Sequence, residues 1–541
     1  MSDRTVADVV GETLARLGAD LVFGVAGSGY LPVTNALVAH GARFVATRHE
    51  SGAATAADAY ARVSGRPGVI TVHQGGGLTN AMTGIAEAAK SRTPLIVLAA
   101  EPAAGPSRSD VRVDQGALAH AVGAVGDRVH GPASAVADAT RAWRTAVLQR
   151  STVVLHLPLD VQAEAAEPDG VPPAPAMQPP RASDDAVTAL AHLLKNAGRP
   201  VFIAGRGALG ARAEVEALAA AAGALLATSA AAKGLFAGDD WNLDVSGGFA
   251  TPPAAELIRD ADVVVAWGAS LDGWTTRQGA LIGPDTAVVQ VDLDPSAFGV
   301  HHRVDLGVCG DARLTALAVA AALPGHRQAY RTDEVRAKLR DRGRWRDVGY
   351  TDTGDESHID PRTLAVTLDD LLPAERVIAV DAGDFMGYPS MFLSVPDHHG
   401  FVFTQAFPSI GSGLASALGA ALASPGRLPV AACGGDGFLT GVAELDTIRR
   451  LGLGMLIVVW NHEASGTGPA GHGLSTVVWP ETDLAAIARG HGCAAVTVRR
   501  PEDLDPVREW LAGSREVPMV VDAKVTADQP SWWAVETVRG H

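Results

Sequence analysis

The sequence predicts an α/β protein of three successive doubly wound parallel-sheet domains. Three observations predict it. The chain has 541 residues, and domains usually run to about 100–200. Short β-branched runs, apolar on both faces, alternate with longer Ala- and Leu-rich stretches, as in strands buried between layers of helices. Two breaks cut the chain into three such blocks. The first break, Glu164–Ser183, contains PDGVPPAPAMQPPR, and proline at that density prevents both helix and central strand. The second, Gly325–Asp360, holds a charged helix candidate around Glu334–Arg342 and the polar loop TDTGDES. The expected organisation is a first domain over 1–165, a Pro-rich linker over 166–183, a central domain over 184–325, a linker with a charged helix over 326–360, and a third domain with its tail over 361–541.

Within the first block the strands are expected at Val69–His73, Leu95–Ala99 and Val153–Leu157. In the second they are expected at Val201–Ala204, Val263–Trp267 and Ala287–Val291. In the third they are Val377–Val380, Val430–Cys433, Met455–Trp460 and Met519–Asp522. Gly and Pro punctuate their ends. The opening MSDRTVADVVGETLARLG reads as an amphipathic helix without the apolar core of a signal peptide. In such sheets ligands bind at the carboxyl ends of the strands, so those ends are where chemistry is sought.

Hydrophobic residues make up 47% and charged residues 19%, which supports several full cores and argues against disorder. The net charge is -16 and no basic run occurs, so neither nucleic acid nor an anionic membrane is an expected partner. No apolar run is long enough for a membrane span. The three cysteines, Cys309, Cys433 and Cys493, form no CxxC or zinc pattern. Buried free thiols in a reducing compartment, the cytoplasm, are expected.

The third block carries the first chemical motif. The run LPVAAC leads into Gly434-Gly435-Asp436-Gly437, and MLIVVW ends at Asn461-His462. Glycines at a strand-to-helix turn let backbone amides face a phosphate. An Asp beside a phosphate makes sense with a divalent cation between them, although a tight turn with a solvated Asp has the same sequence. At the other end Arg48-His49-Glu50 precedes SGAATAADAYARVSGRPGV. Small residues at Gly52, Ala53, Ala54, Ala56 and Ala57 permit close helix packing, and Glu50 alone also fits a helix start favoured by the macrodipole.

Together these motifs resemble the thiamine-diphosphate (ThDP) enzymes that act on 2-oxo acids, nearest the acetolactate synthase, benzoylformate decarboxylase and pyruvate oxidase branch. The resemblance runs over nearly the whole chain and implies pyrimidine-binding, central and diphosphate-binding domains. It places Glu50 at the pyrimidine nitrogen, where a carboxyl drives the tautomer that deprotonates the thiazolium carbon. Phe23–Gly29 (FGVAGSG) resembles the family's glycine loop, which puts Gly27 beside the cofactor and Ser28 on the substrate carboxylate. Thr71–Asn80 (TVHQGGGLTN) resembles its GPG loop and makes His73 a proton-transfer group, although a His at a strand end is also often an ordinary hydrogen-bonded residue. Ile410, in Ser409-Ile410-Gly411, matches the apolar wedge that bends the cofactor, and an Ile there also reads as core. Gly383, Asp384, Gly435, Asp436, Gly437 and Asn461 are expected around the diphosphate. The metal, Mg²⁺ or another divalent ion, is assigned to Asp436, His462 and Ala464. Ala204-Gly205-Arg206-Gly207 and Asp292 resemble the central domain, where some relatives bind FAD; these residues do not support a flavin here.

The sequence departs from that pattern at the diphosphate. Asp436 and His462 stand 26 positions apart, against about 27 in relatives, and His462 replaces the second residue of an Asn pair. Aligned through Glu444, Gly435 falls where the Asp should be. His is a poor Mg²⁺ ligand. Gly76 replaces the GPG proline, and Asp384 adds negative charge. His462 and His472 could belong to a different metal site, or be exposed loop residues. The reading is therefore a ThDP-dependent 2-oxo acid decarboxylase or carboligase, with a small 2-oxo acid or aldehyde substrate. The alternative is a ThDP fold without ThDP, serving as a binding subunit or in unrelated chemistry. The family shares its cofactor between subunits, implying a homodimer or homotetramer. Trp532 and Trp533 would anchor the tail.

Overall fold

The computed structural model describes residues 4–103, 110–167, 178–323, 325–463 and 481–526. It contains three six-stranded sheets, and every strand pairing in them is parallel. The first comprises β1 (Leu21–Gly24), β2 (Arg43–Ala46), β3 (Gly68–Val72), β4 (Leu95–Glu101), β5 (Val125–Arg128) and β6 (Thr152–Pro158), in the order β2-β1-β3-β4-β6-β5. The second has β7 (Pro200–Ala204), β8 (Leu225–Thr228), β9 (Asn242–Val245), β10 (Val263–Trp267), β11 (Ala287–Asp292) and β12 (Leu306–Cys309), in the order β12-β11-β10-β7-β8-β9. The third has β13 (Arg376–Val380), β14 (Phe401–Phe403), β15 (Leu428–Gly434), β16 (Leu456–Asn461), β17 (Ala494–Val498) and β18 (Met519–Lys524), in the order β14-β13-β15-β16-β18-β17. The outer two sheets thus have one topology, and the middle one has the nucleotide-fold order with its switch point between β7 and β10.

Local chemistry sets the elements. Helix Val6–Leu17 starts on a capping box, with Thr5 and Asp8 each accepting the other's backbone N–H, and stops at Gly18 with φ 116. Helix Glu50–Ser64 is capped by His49, whose ring accepts from the Ser51 N–H at 3.1 Å, and ends on Gly65 with φ 71. At the middle switch point Gly205 and Gly207 donate their N–H groups to the Trp267 and Gly268 carbonyls, at 2.9 and 3.1 Å. The glycines there let two strand-end loops touch. The proline core of the first linker, 168–177, lies outside the described residues. The charged helix runs Asp333–Arg342 and docks Val335 and Leu339 into the central core.

One hydrophobic core spans the first and third domains. Helix Glu50–Ser64 packs directly on helix Gly413–Ala423, so Ala53, Ala57 and Ile70 share a cluster with Leu414, Leu418 and Val459. Arg62 staples the junction. It reaches Asp58, Glu87 and Ser91 within the first domain and donates to the Phe403 carbonyl of the third at 2.9 Å. Cys433 and Cys493 are buried free thiols, but Cys309, expected to be buried, is exposed, because it ends the short edge strand β12. No helix among the described residues is long and apolar enough to cross a membrane.

Candidate active site

Two groups of loops gather at the carboxyl ends of the outer sheets. In the first domain these are the turn after β1, the start of helix Glu50–Ser64, and the turn after β3. Glu50 is half-buried at its helix start, and Asn80, on helix Gly76–Lys90, donates to its Oε2 at 3.1 Å. Gly77 lies between Glu50 and His73: a Cβ there would stand 3.4 Å from Glu50 Oε1 and 3.0 Å from the His73 Cβ. His73 follows β3 directly, half-buried, with Nδ1 3.2 Å from the Gln74 carbonyl oxygen. Gly27 and exposed Ser28 open the short turn Ser28–Tyr30. Tyr30 closes it from below. Burial first, and then the nearby Glu50 carboxylate, push its hydroxyl up to about 12. The structure thus brings Glu50 and His73 together, with Ser28 on the turn that ends at Tyr30.

In the third domain the loop after β13, the turn before helix Gly413–Ala423, and the turn after β15 meet. Asp381 organises them. Its buried carboxylate accepts from the Gly411 N–H at 3.1 and 3.0 Å, and from the Ser412 N–H at 3.0 Å and hydroxyl at 3.1 Å. Desolvation still raises it to about 6 against those bonds. Gly437 lies flush against it, since a Cβ there would sit 2.2 Å from Asp381 Oδ2. Ile410 stands on this turn, 50% exposed, too open for an ordinary core residue. Gly383 has φ 141, and Asp384 begins the turn Asp384–Met386. The Phe385 ring packs under both Gly383 and Gly434, which joins that loop to the glycine turn.

Gly435 is the first residue of helix Gly435–Gly441, and a Cβ on it would stand 3.2 Å from Asn461 Oδ1. A carboxylate at 435 would therefore face Asn461; the chain has Asp436 one step on, half-buried. Asn461 is buried with its amide engaged, Nδ2 donating to Asp522 Oδ1 at 2.9 Å and Oδ1 accepting from the Glu463 N–H at 3.2 Å. His462 is half-buried, and its buried Nε2 has no hydrogen-bond partner among the described residues. Ala464 and His472 lie outside the described residues, as do Trp532 and Trp533. Among the described residues no group of three His, Cys, Asp or Glu side chains is arranged to hold a metal ion.

Sequence reasoning missed four residues. Asn80 was legible only as the last letter of the glycine loop, one helical turn beyond Gly76. Asp381 gave a faint signal, as the polar residue closing the apolar run Val377–Val380, and Tyr30 one as the residue that follows the glycine loop Phe23–Gly29. Glu444 gave none as a site residue, because its partners lie almost four hundred positions away.

Polar clusters thus stand at the strand ends of two like-ordered sheets, one built on a carboxyl and the other on a glycine turn. The sequence matches a family model in each of its three parts: thiamine pyrophosphate enzyme N-terminal TPP binding domain at residues 4–123, central domain at 187–319, and C-terminal TPP binding domain at 381–523. The chain belongs to the thiamine pyrophosphate enzyme family. It is 31% identical over 536 residues to a probable 2-ketoarginine decarboxylase of Pseudomonas aeruginosa, covering 94% of this chain and 92% of that one. It is 29% identical over 474 residues to the acetolactate synthase large subunit of Parasynechococcus marenigrum, covering 84% and 76%. A sulfoacetaldehyde acetyltransferase of Castellaniella defragrans is 25% identical over 553 residues, covering 94% and 90%.

The first-domain residues fit the organic coenzyme. Glu50 is held through one oxygen by Asn80, and glycine at 77 leaves the approach to the other clear of a side chain. The glycine turn at 434–437 fits a diphosphate. The metal part fits less well: His462 is a poor partner for Mg²⁺, which prefers oxygen, and among the described residues no three His, Cys, Asp or Glu side chains are grouped to hold a metal ion.

Proposed function

We propose that this chain is a ThDP-dependent enzyme that cleaves the bond beside the carbonyl of a small 2-oxo acid, as a decarboxylase or a carboligase. The observation that carries this reading is the Glu50 cluster: a carboxyl at a helix start, fixed by Asn80, beside the glycine-lined His73 turn. Bound there, ThDP would supply an electron sink for cleavage of the bond beside the carbonyl. The protein's part is positional and protolytic. Glu50 holds a proton at the pyrimidine nitrogen. His73, one glycine away, exchanges protons with the substrate oxygen, and Ser28 holds the substrate carboxylate. Ile410 would press on the coenzyme from the third domain, and Gly383, Asp384, Gly435, Gly437 and Asn461 would line its phosphate end. A divalent cation, Mg²⁺ or another, would be held by Asp436, His462 and the Ala464 carbonyl.

Phe407, Ile410 and Leu439 are exposed at 42%, 50% and 42% on the third-domain face, and Leu31, Val111 and Val113 at 49%, 38% and 39% on the first. Such exposed apolar residues beside both halves of the site support a homodimer, or a homotetramer built from it, that would bury them and in which one copy's Glu50 cluster meets the other's glycine turn. Free thiols support a cytoplasmic setting.

Titration of the purified protein with ThDP, with and without Mg²⁺, followed by calorimetry, tests the reading. Saturable binding and release of CO₂ from a panel of 2-oxo acids are expected. Absence of binding under both conditions overturns it and favours a ThDP fold put to another use, the reading to which glycine at 435 points.

A further inference from the structure

The catalytic turn of the first domain is not held by the first domain alone. Helix Glu444–Arg450 of the third domain grips residues 46–49 with three side chains. Glu444 Oε1 accepts from the Arg48 N–H at 2.9 Å and the His49 N–H at 3.2 Å. Asp446 takes the Arg48 guanidinium at 2.8 Å. Arg450 donates to the Ala46 carbonyl at 2.7 Å. The next residue after His49 is Glu50.

Of the three, Glu444 is the buried one, 4% exposed. Its carboxyl also fills the space over Gly52, where a Cβ would stand 2.5 Å from Oε1. Any side chain at 52 would push the carboxyl off the two N–H groups. The arrangement is mirrored: Glu87 of the first domain accepts from the Phe407 N–H of the third, three residues before Ile410. Each domain lends a buried carboxyl to the turn that carries the other's cofactor-facing residue. A helix start whose preceding N–H groups are capped has one height and one rotation; uncapped, it frays within the first turn.

We infer that Glu444 is a positioning residue for Glu50, fixing from the third domain the start of the helix on which that carboxyl stands. The inference deepens the ThDP reading and rests on it for its catalytic consequence. The contact is one of reach rather than charge, because a neutral amide oxygen accepts the same two bonds. Glu444→Gln therefore preserves the clasp, whereas Glu444→Asp, one methylene shorter, withdraws the acceptor while keeping the charge. Glu444→Ala removes it outright.

Two measurements on the full-length protein test this. The first is amide hydrogen exchange over 46–52 without coenzyme. It should accelerate about tenfold or more in the Asp and Ala variants and stay within roughly twofold in Gln. The second is exchange of the C2 proton of bound ThDP, which reports the step Glu50 drives. It should fall about tenfold or more in Asp and Ala while the ThDP Kd moves less than roughly threefold, with Gln near wild type. If Asp preserves both rates and Gln loses them, charge rather than reach matters and the inference fails. Unchanged C2 exchange in both Asp and Ala also overturns it. Should no variant, nor the wild type, bind ThDP, the coenzyme reading is what fails; amide exchange then decides the clasp, and unchanged protection at 48 and 49 sinks it.

Discussion

Gly419 of the third domain lies flush against Ala56 of the first: a Cβ on Gly419 would stand 2.0 Å from the Ala56 carbonyl oxygen. The neighbour is helix backbone, which cannot swing aside as a long side chain can. Gly419→Ala should force helices Glu50–Ser64 and Gly413–Ala423 apart and cost about 1–3 kcal/mol. The shared core of the first and third domains would open along that seam. Chemical denaturation should show a lower midpoint; an unchanged one would mean the two helices are not in contact as described.

Glu50→Gln separates chemistry from fold. Its only described hydrogen bond is the Asn80 amide on Oε2, and an amide oxygen there still accepts it. Thermal stability should stay close to wild type. A glutamine cannot give and retake a proton, so the rate of 2-oxo acid turnover should fall by about 100-fold or more. Undiminished turnover in a folded variant would refute the role given to Glu50.

The fold was legible where a clear apolar run was sealed on both faces, as at Val263–Trp267. The short edge strands β2, β5 and β12 were not, because their exposed residues break the run, and Cys309 was misplaced for the same reason. Of the site, what reads locally was found: Glu50 before its small residues, and the glycine turns. Asp381 and Glu444 act on backbone groups about 30 and nearly 400 positions away. No pattern in a single sequence marks such pairings, since any buried carboxyl looks alike until the fold supplies its partner.

Gly435 offers a gain-of-function test. Its Cβ position faces Asn461 Oδ1 at 3.2 Å, so an Asp there would place a carboxylate beside the strand end assigned to the metal. Mg²⁺ prefers such oxygen ligands shared with phosphate. Gly435→Asp should make ThDP binding more dependent on Mg²⁺ than in the wild type, by about tenfold in Kd between chelator and added Mg²⁺. Calorimetry in the two buffers reads this. An equal Mg²⁺ dependence in both proteins would show that the glycine is not what weakens the metal set.

His398 makes the domain junction acid-sensitive. Its ring lies 4.0 Å from that of His399, which in turn places Nδ1 2.7 Å from the Val63 carbonyl oxygen of the first domain. Burial, and then the neighbouring His399, push the His398 imidazole down to about 4. Asp397 beside it is committed to Arg427 and offers little compensation. An unfolded histidine titrates near 6.5, so between pH 6.5 and 4 the unfolded chain takes up a proton that the folded one refuses. Stability is complete above that window and declines as pH falls through it. After discounting for partial exposure, the contribution is about 1 kcal/mol. His398→Gln should flatten the fall in denaturation midpoint between pH 7.5 and 5 by that amount. His399→Gln should also break the Nδ1 contact with Val63 and lower stability at both pH values. If His398→Gln leaves the pH slope untouched, the acid sensitivity resides elsewhere in the chain.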